Sequence, residues 1–131
     1  MSEVIFHNFP AAPEPVAPFS HAVEADGWVQ ITGQMPTDPD DAAKPLPEGI
    51  EAQTRQVMDN LILVLGELGL GLDHVTSARA FLTHFERDYA AMNAAYGSYF
   101  PADRRPARTC IGVTGLARGA LVEIDMIARR P

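Results

Sequence analysis

The sequence predicts an α+β domain, about six strands with two helices on one face of their sheet. Three observations carry this. Segments 49–70 and 86–100 repeat apolar residues at helical spacing. Shorter segments alternate apolar and polar residues, the period of a strand. The helices fall after the third and fourth strands, and two helices can cover only one face of such a sheet. The other face must meet water or another subunit.

The first strand candidate is Val4 to Asn8, followed by a connector whose Pro10, Pro13, Pro15 and Pro18 favour an extended path. Ser20 to Glu24 and Trp28 to Thr32 read as a hairpin across Ala25-Asp26-Gly27. Pro36 to Pro47 is a proline-rich, acidic loop. The first helix runs from about Gly49 to Leu70, with Ile50, Val57, Met58, Leu61, Val64, Leu65 and Leu68 on its apolar side and Gly69 and Gly71 at its end. Val75 to His84 is a strand with Ala78, Ala80 and Leu82 on one side. Glu86 to Phe100 is the second helix, striped by Tyr89, Met92, Tyr96 and Phe100 and stopped by Pro101. Two last strands, 105–113 and 121–128, read as a hairpin around Gly115 and Leu116.

That hairpin carries the chemistry. Alternation puts Ile111, Val113, Val122, Ile124 and Met126 on one face and Arg108, Cys110, Gly112, Glu123 and Asp125 on the other, with Arg108 opposite Glu123. Such a face is either a solvated ion-pair surface or the floor of a polar site. Arg108 is the strongest candidate, since a guanidinium grips carboxylates bidentately and keeps its charge. Glu123 pairs with it or activates a water. Cys110 has no neighbouring histidine to make a thiolate, so its backbone matters more than its sulfur. Asn93 sits beside the apolar stripe of the second helix. His7, His21, His74 and His84 lack metal-ligand spacing, so no metal is expected; His21 could line a pocket but reads first as an ordinary strand residue.

Composition narrows the function further. The 131 residues, 47% hydrophobic and 21% charged, fit one globular domain spanning 1–131. A net charge of −7 argues against a nucleic-acid partner, although Arg104, Arg105, Arg108 and Arg118 lie close in sequence. A single cysteine excludes an internal disulfide. No apolar run approaches the ~18 residues of a membrane span. The expected location is the cytoplasm.

Six fragments, in family order and spacing, resemble the Rid (YjgF-type) proteins, the reactive-intermediate imine/enamine deaminases. They are Ala17-Pro18-Phe19-Ser20-His21-Ala22-Val23, Ile31-Thr32-Gly33-Gln34-Met35-Pro36, Ala52-Gln53-Thr54 with Asn60-Leu61, Met92-Asn93-Ala94-Ala95-Tyr96, Pro106-Ala107-Arg108-Thr109-Cys110 and Gly119-Ala120-Leu121-Val122-Glu123-Ile124. The resemblance implies a chorismate-mutase-like mixed sheet, a homotrimer with clefts between subunits, and cofactor-independent hydrolysis of 2-aminoacrylate- or 2-iminobutanoate-type acids to 2-oxo acids and ammonia. It implies that Arg108 clamps the substrate carboxylate and the Cys110 backbone holds the imine nitrogen or water. Glu123 would position the water, and Thr32, Gly33 and Asn93 would shape the cleft. Family deaminases usually carry tyrosine where this chain has Phe19, which leaves a more apolar wall. The alternatives are a deaminase of a larger catabolic enamine such as 2-aminomuconate, or a non-catalytic carboxylate-binding trimer. An RNA-cleaving role, sometimes attributed to relatives, fits poorly with the acidic charge.

Overall fold

The computed structural model describes residues 3–131. It contains β1 (Ile5–His7), β2 (Ala22–Ala25), β3 (Trp28–Gln34), α1 (Ile50–Glu67), β4 (Val75–Leu82), α2 (Phe85–Gly97), β5 (Ala107–Gly112) and β6 (Val122–Arg129). The six strands form one sheet in the order β1-β2-β3-β6-β4-β5, antiparallel except for β4 and β5. Among the described residues no helix is long and apolar enough to cross a membrane.

The local signals operate as read. Asp26 and Gly27 both take positive φ, 54° and 80°, as a two-residue hairpin turn requires. The α1 helix ends in a Schellman motif: Gly69 (φ 74°) donates to the Gly66 carbonyl at 3.0 Å, and the Leu70 N–H reaches the Leu65 carbonyl at 2.8 Å. Its apolar side, Val57, Met58, Leu61, Val64 and Leu65, is wholly buried against the sheet. Met92 and Tyr96 of α2 and Phe100 just after it are buried, but Tyr89, expected in the same stripe, is 38% exposed.

The C-terminal hairpin does not form. After β5 the Val113 N–H donates to the Leu82 carbonyl, and the Thr83 N–H to that of Leu121, so the chain passes around the end of β4. β6 therefore enters the sheet between β3 and β4, and β5 is left as the outer strand, parallel to β4. Burial explains the choice. Val122, Ile124, Met126 and Ala128 are at most 1% exposed, and an apolar row of that length is covered best in the middle of the sheet. The short β5, mostly exposed, loses least at the edge.

The faces change with the pairing. Ala78 lies opposite both Arg108 and Met126, and Ala80 opposite both Cys110 and Ile124. Arg108, Cys110 and Gly112 thus share the helix-covered face with the apolar row of β6. Glu123 and Asp125 share the open face with Phe81 and Arg79, their partners on β4. The expected Arg108–Glu123 row on a single face is not formed. These two side chains project from opposite faces, on strands separated by β4, roughly 9–10 Å apart between strand axes.

Candidate functional site

Two clusters of polar residues result. The first lies where α2 meets the edge strand. Arg108 reaches back from β5 over Met92 and Tyr96 of α2. Its guanidinium carbon stands 5.0 Å from the centre of the Tyr96 ring, and Nη1 is 4.0 Å from the Met92 sulfur. Stacking on an aromatic face holds the fork without using up its donors. Among the described residues no carboxylate lies within ion-pair distance of Arg108. Among the described residues the Asn93 Oδ1, on the same helix, is buried with no hydrogen-bond partner, and so is the Tyr96 hydroxyl. A buried acceptor without a donor costs about 1–3 kcal/mol, so these groups mark a place built for something more than packing.

Cys110, two residues along the same face, is half-buried. Burial pushes its thiol up and the Arg108 charge opposes this more weakly, which keeps the sulfur protonated and a poor nucleophile. What β5 offers is backbone, because an edge strand leaves one side of its N–H and C=O groups unpaired.

The second cluster lies on the open face, at a bulge in β3. Ile31 pairs with Met126 and Gln34 with Ile124, so β3 spends one residue more than β6 between these pairs. The bulge brings Gly33 directly over Glu123. A Cβ on Gly33 would lie 3.0 Å from the Glu123 Cδ, so only glycine lets the carboxylate stay there. Burial, then repulsion from Asp125, raises the Glu123 carboxyl above its ordinary value, the direction useful for a base working near neutral pH. Thr32 donates to the Ser20 carbonyl at 2.6 Å. That bond ties β3 to the loop bearing Phe19, which is 40% exposed beside Gly33 and Thr37.

The structure thus groups Arg108 and Cys110 on the helix-covered face of β5 and Phe19, Thr32, Gly33 and Glu123 about the bulge of β3, without joining the two groups in one chain; Asn93 stands on α2, one turn from Tyr96. It also gives His21 more than an ordinary strand role. Buried at 3% exposure, its Nδ1 accepts from the Phe9 N–H (2.9 Å) and its Nε2 donates to the Pro13 carbonyl (2.7 Å), pinning the proline-rich connector. Sequence reading missed Tyr96 as the shelf under Arg108. It also missed Asn60, which donates to the Met35 and Thr37 carbonyls at 3.0 and 2.8 Å and fixes the segment following the bulge. An amide within the apolar stripe of α1 was the available signal.

Known proteins share this fold. A family model described as Endoribonuclease L-PSP matches residues 9–130. A RutC family protein of Synechocystis is 40% identical over 120 residues, covering 92% of each chain. A Yersinia pestis protein of the Rid family, described as of unknown function, superposes with a TM-score of 0.86 at 33% identity, over 97% of this chain and 99% of that one. Escherichia coli TdcF, solved with bound serine, gives a TM-score of 0.87 at 25% identity, over 97% and 99%.

Proposed function

This chain belongs to the Endoribonuclease L-PSP family, the family of the Rid and RutC proteins, and on that footing we propose that it hydrolyses 2-imino and enamine acids to 2-oxo acids and ammonia. The observation that carries the reading is the Arg108 cation stacked on Tyr96 with no carboxylate partner, with the unpartnered Asn93 carbonyl one helical turn from Tyr96 on α2. A 2-imino acid has a carboxylate for the first and, one carbon away, a protonated nitrogen for the second. The serine bound to TdcF has the same order of carboxylate, Cα and nitrogen.

The chemistry asks little of the protein. Arg108 holds the carboxylate bidentately, and the Asn93 carbonyl with the Cys110 backbone faces the iminium N–H. Glu123 takes a proton from water as the oxygen bonds to C2 and the C=N π pair moves to nitrogen. The proton returns to nitrogen; the C2 hydroxyl then yields its proton to Glu123 as an oxygen pair forms C=O, and the C–N pair leaves with ammonia, giving the 2-oxo acid. Every electron pair comes from water or the substrate, so the reaction calls for no cofactor.

Arg108 and Glu123 face opposite ways in one chain, so they serve one substrate only if a second copy brings its open face to the first copy's edge. A homotrimer with three such clefts meets this need. The open face supports it: Val4, Phe6, Trp28 and Ile111 are 43% exposed or more there, an apolar surface fit for burial against a neighbour. We place the protein in the cytoplasm, where a half-buried single thiol stays reduced. The ribonuclease description gains nothing from this surface, since the chain carries a net charge of −7.

Mixing two disabled chains tests both parts of the proposal. Arg108→Ala and Glu123→Ala homo-oligomers should each be nearly inactive on an imine generated in place by an amino-acid oxidase. Random hetero-oligomers should regain about a quarter of wild-type ammonia release, because one boundary in four then joins an intact Arg108 to an intact Glu123. Full activity in either homo-oligomer would overturn the catalytic assignment. No recovery on mixing, with exchange verified by mass, would overturn the shared site. A folded wild-type trimer that accelerates no imine would favour the carboxylate-binding alternative.

A further inference from the structure

Resting on the deaminase reading, we propose that the Arg108 site continues into an aromatic side-chain pocket, making the preferred substrates 2-imino acids with an aryl or large apolar side chain. Two parallel rows of residues carry the inference. Phe85, Tyr89 and Asn93 follow one another at four-residue steps along one line of α2. Gly112, Cys110 and Arg108 follow at two-residue steps along the helix-facing side of β5. The rows run in opposite chain directions and are matched at both ends: Arg108 stacks on Tyr96, one turn beyond Asn93, and Phe85 lies against Gly112.

Along these rows the residues grade from charge to grease, and the pocket we infer follows that gradient. The unpaired guanidinium stands at one end, and the unpartnered Asn93 carbonyl and half-buried Cys110 in the middle. At the other end Phe85 and Tyr89 stack with centroids 4.7 Å apart. Gly112 makes that end possible, because a Cβ there would press within 3.1 Å of the Phe85 Cβ. Tyr89 is the aromatic of the α2 stripe that the core does not bury. Arg108 to Gly112 spans roughly 13 Å of strand, more than a carboxylate and an iminium carbon occupy. A methyl side chain leaves the aromatic pair wet; a phenyl ring covers it. Arg87, the nearest cation in sequence, is engaged by Asp88 at 2.9 Å, so a dicarboxylic enamine finds no free countercharge there.

Turnover and binding are read separately, on the intact oligomer. Imines are generated by L-amino-acid oxidase from alanine and from phenylalanine, and the affinities of pyruvate and phenylpyruvate, the matching 2-oxo products, are measured by calorimetry. The phenyl compounds should be favoured about tenfold or more in both kcat/KM and Kd, the span expected for filling an apolar pocket. Tyr89→Ala should lower the phenyl-to-methyl ratio about tenfold in both measurements, and Tyr89→Phe should keep it. Using the ratio cancels any general loss of folded protein. Equal constants for the two side chains in the wild type, or an unchanged ratio in Tyr89→Ala, would overturn the pocket while leaving the deaminase reading intact. Preferential phenylpyruvate binding with no imine accelerated would do the reverse.

Discussion

Two arginines at opposite ends of the sheet show how this fold separates structure from chemistry. Arg130 is fully engaged. Its Nε and Nη2 donate to the two oxygens of the buried Glu24 at 2.8 and 2.9 Å, and Nη1 donates to the Leu68 carbonyl at 2.9 Å, capping the end of α1. His7 completes the cluster by donating to Glu24 at 2.7 Å. Those bonds, Arg130's above all, hold the Glu24 carboxyl at about 2. Arg108 has the same fork with an aromatic ring beneath it and no anion. A cation whose partners are all present closes a structure; one stacked on a ring without an anion keeps most of its donors free.

That contrast can be broken by mutation. Arg108→Ala should cost about 4 kcal/mol in transition-state binding, read from kcat/KM, while urea unfolding shifts by no more than about 0.5 kcal/mol. Arg108→Lys should recover little, since an ammonium does not grip a carboxylate bidentately. A large loss of stability would make Arg108 a second Arg130 and undo the comparison.

Glu123→Gln should cost about 3 kcal/mol in activation free energy and remove the acid limb of the pH profile. In the wild type that limb should fall above the ordinary glutamate value of 4.5, because the raised carboxyl must lose its proton before acting as a base. A limb at or below 4.5 would exclude Glu123 as that base.

Glu24→Gln should do the opposite, with activity kept and about 2–3 kcal/mol of stability lost. The folded Glu24 holds its proton less tightly than the unfolded one. Its contribution is therefore complete above about 4.5 and disappears as pH falls through about 2. Denaturant melts across that range should slope in the wild type and be flatter in the variant.

The smallest change should come from Phe19→Tyr, which adds one hydroxyl to the exposed wall beside Gly33. One neutral hydrogen bond to substrate or water is worth about 1 kcal/mol, a gain of roughly fivefold in kcat/KM for small imines. No gain would mean that the residue forms wall and nothing more.

Much of the fold was legible because its signals are local. The Asp26-Gly27 turn, the Schellman end of α1 and the Ala78-Ala80-Leu82 face of β4 follow from backbone sterics and periodicity within a few residues. The candidate site residues were named from the sequence by type and by family likeness. Which of them stand together was not legible there. Alternation in β5 and β6 says that each strand has two faces, but it does not say how the faces are matched between strands.

What the sequence determined by itself, then, is the inventory: six strands, two helices and the family to which the chain belongs. The tertiary structure decided that β6 lies inside the sheet and β5 at its edge, and so that Arg108 rests on Tyr96 while Glu123 faces the other way. The reason is energetic and non-local. The apolar row Val122 to Ala128 is best buried between β3 and β4, far away in sequence, and that gain outweighs the simple hairpin that nearest-neighbour reading prefers.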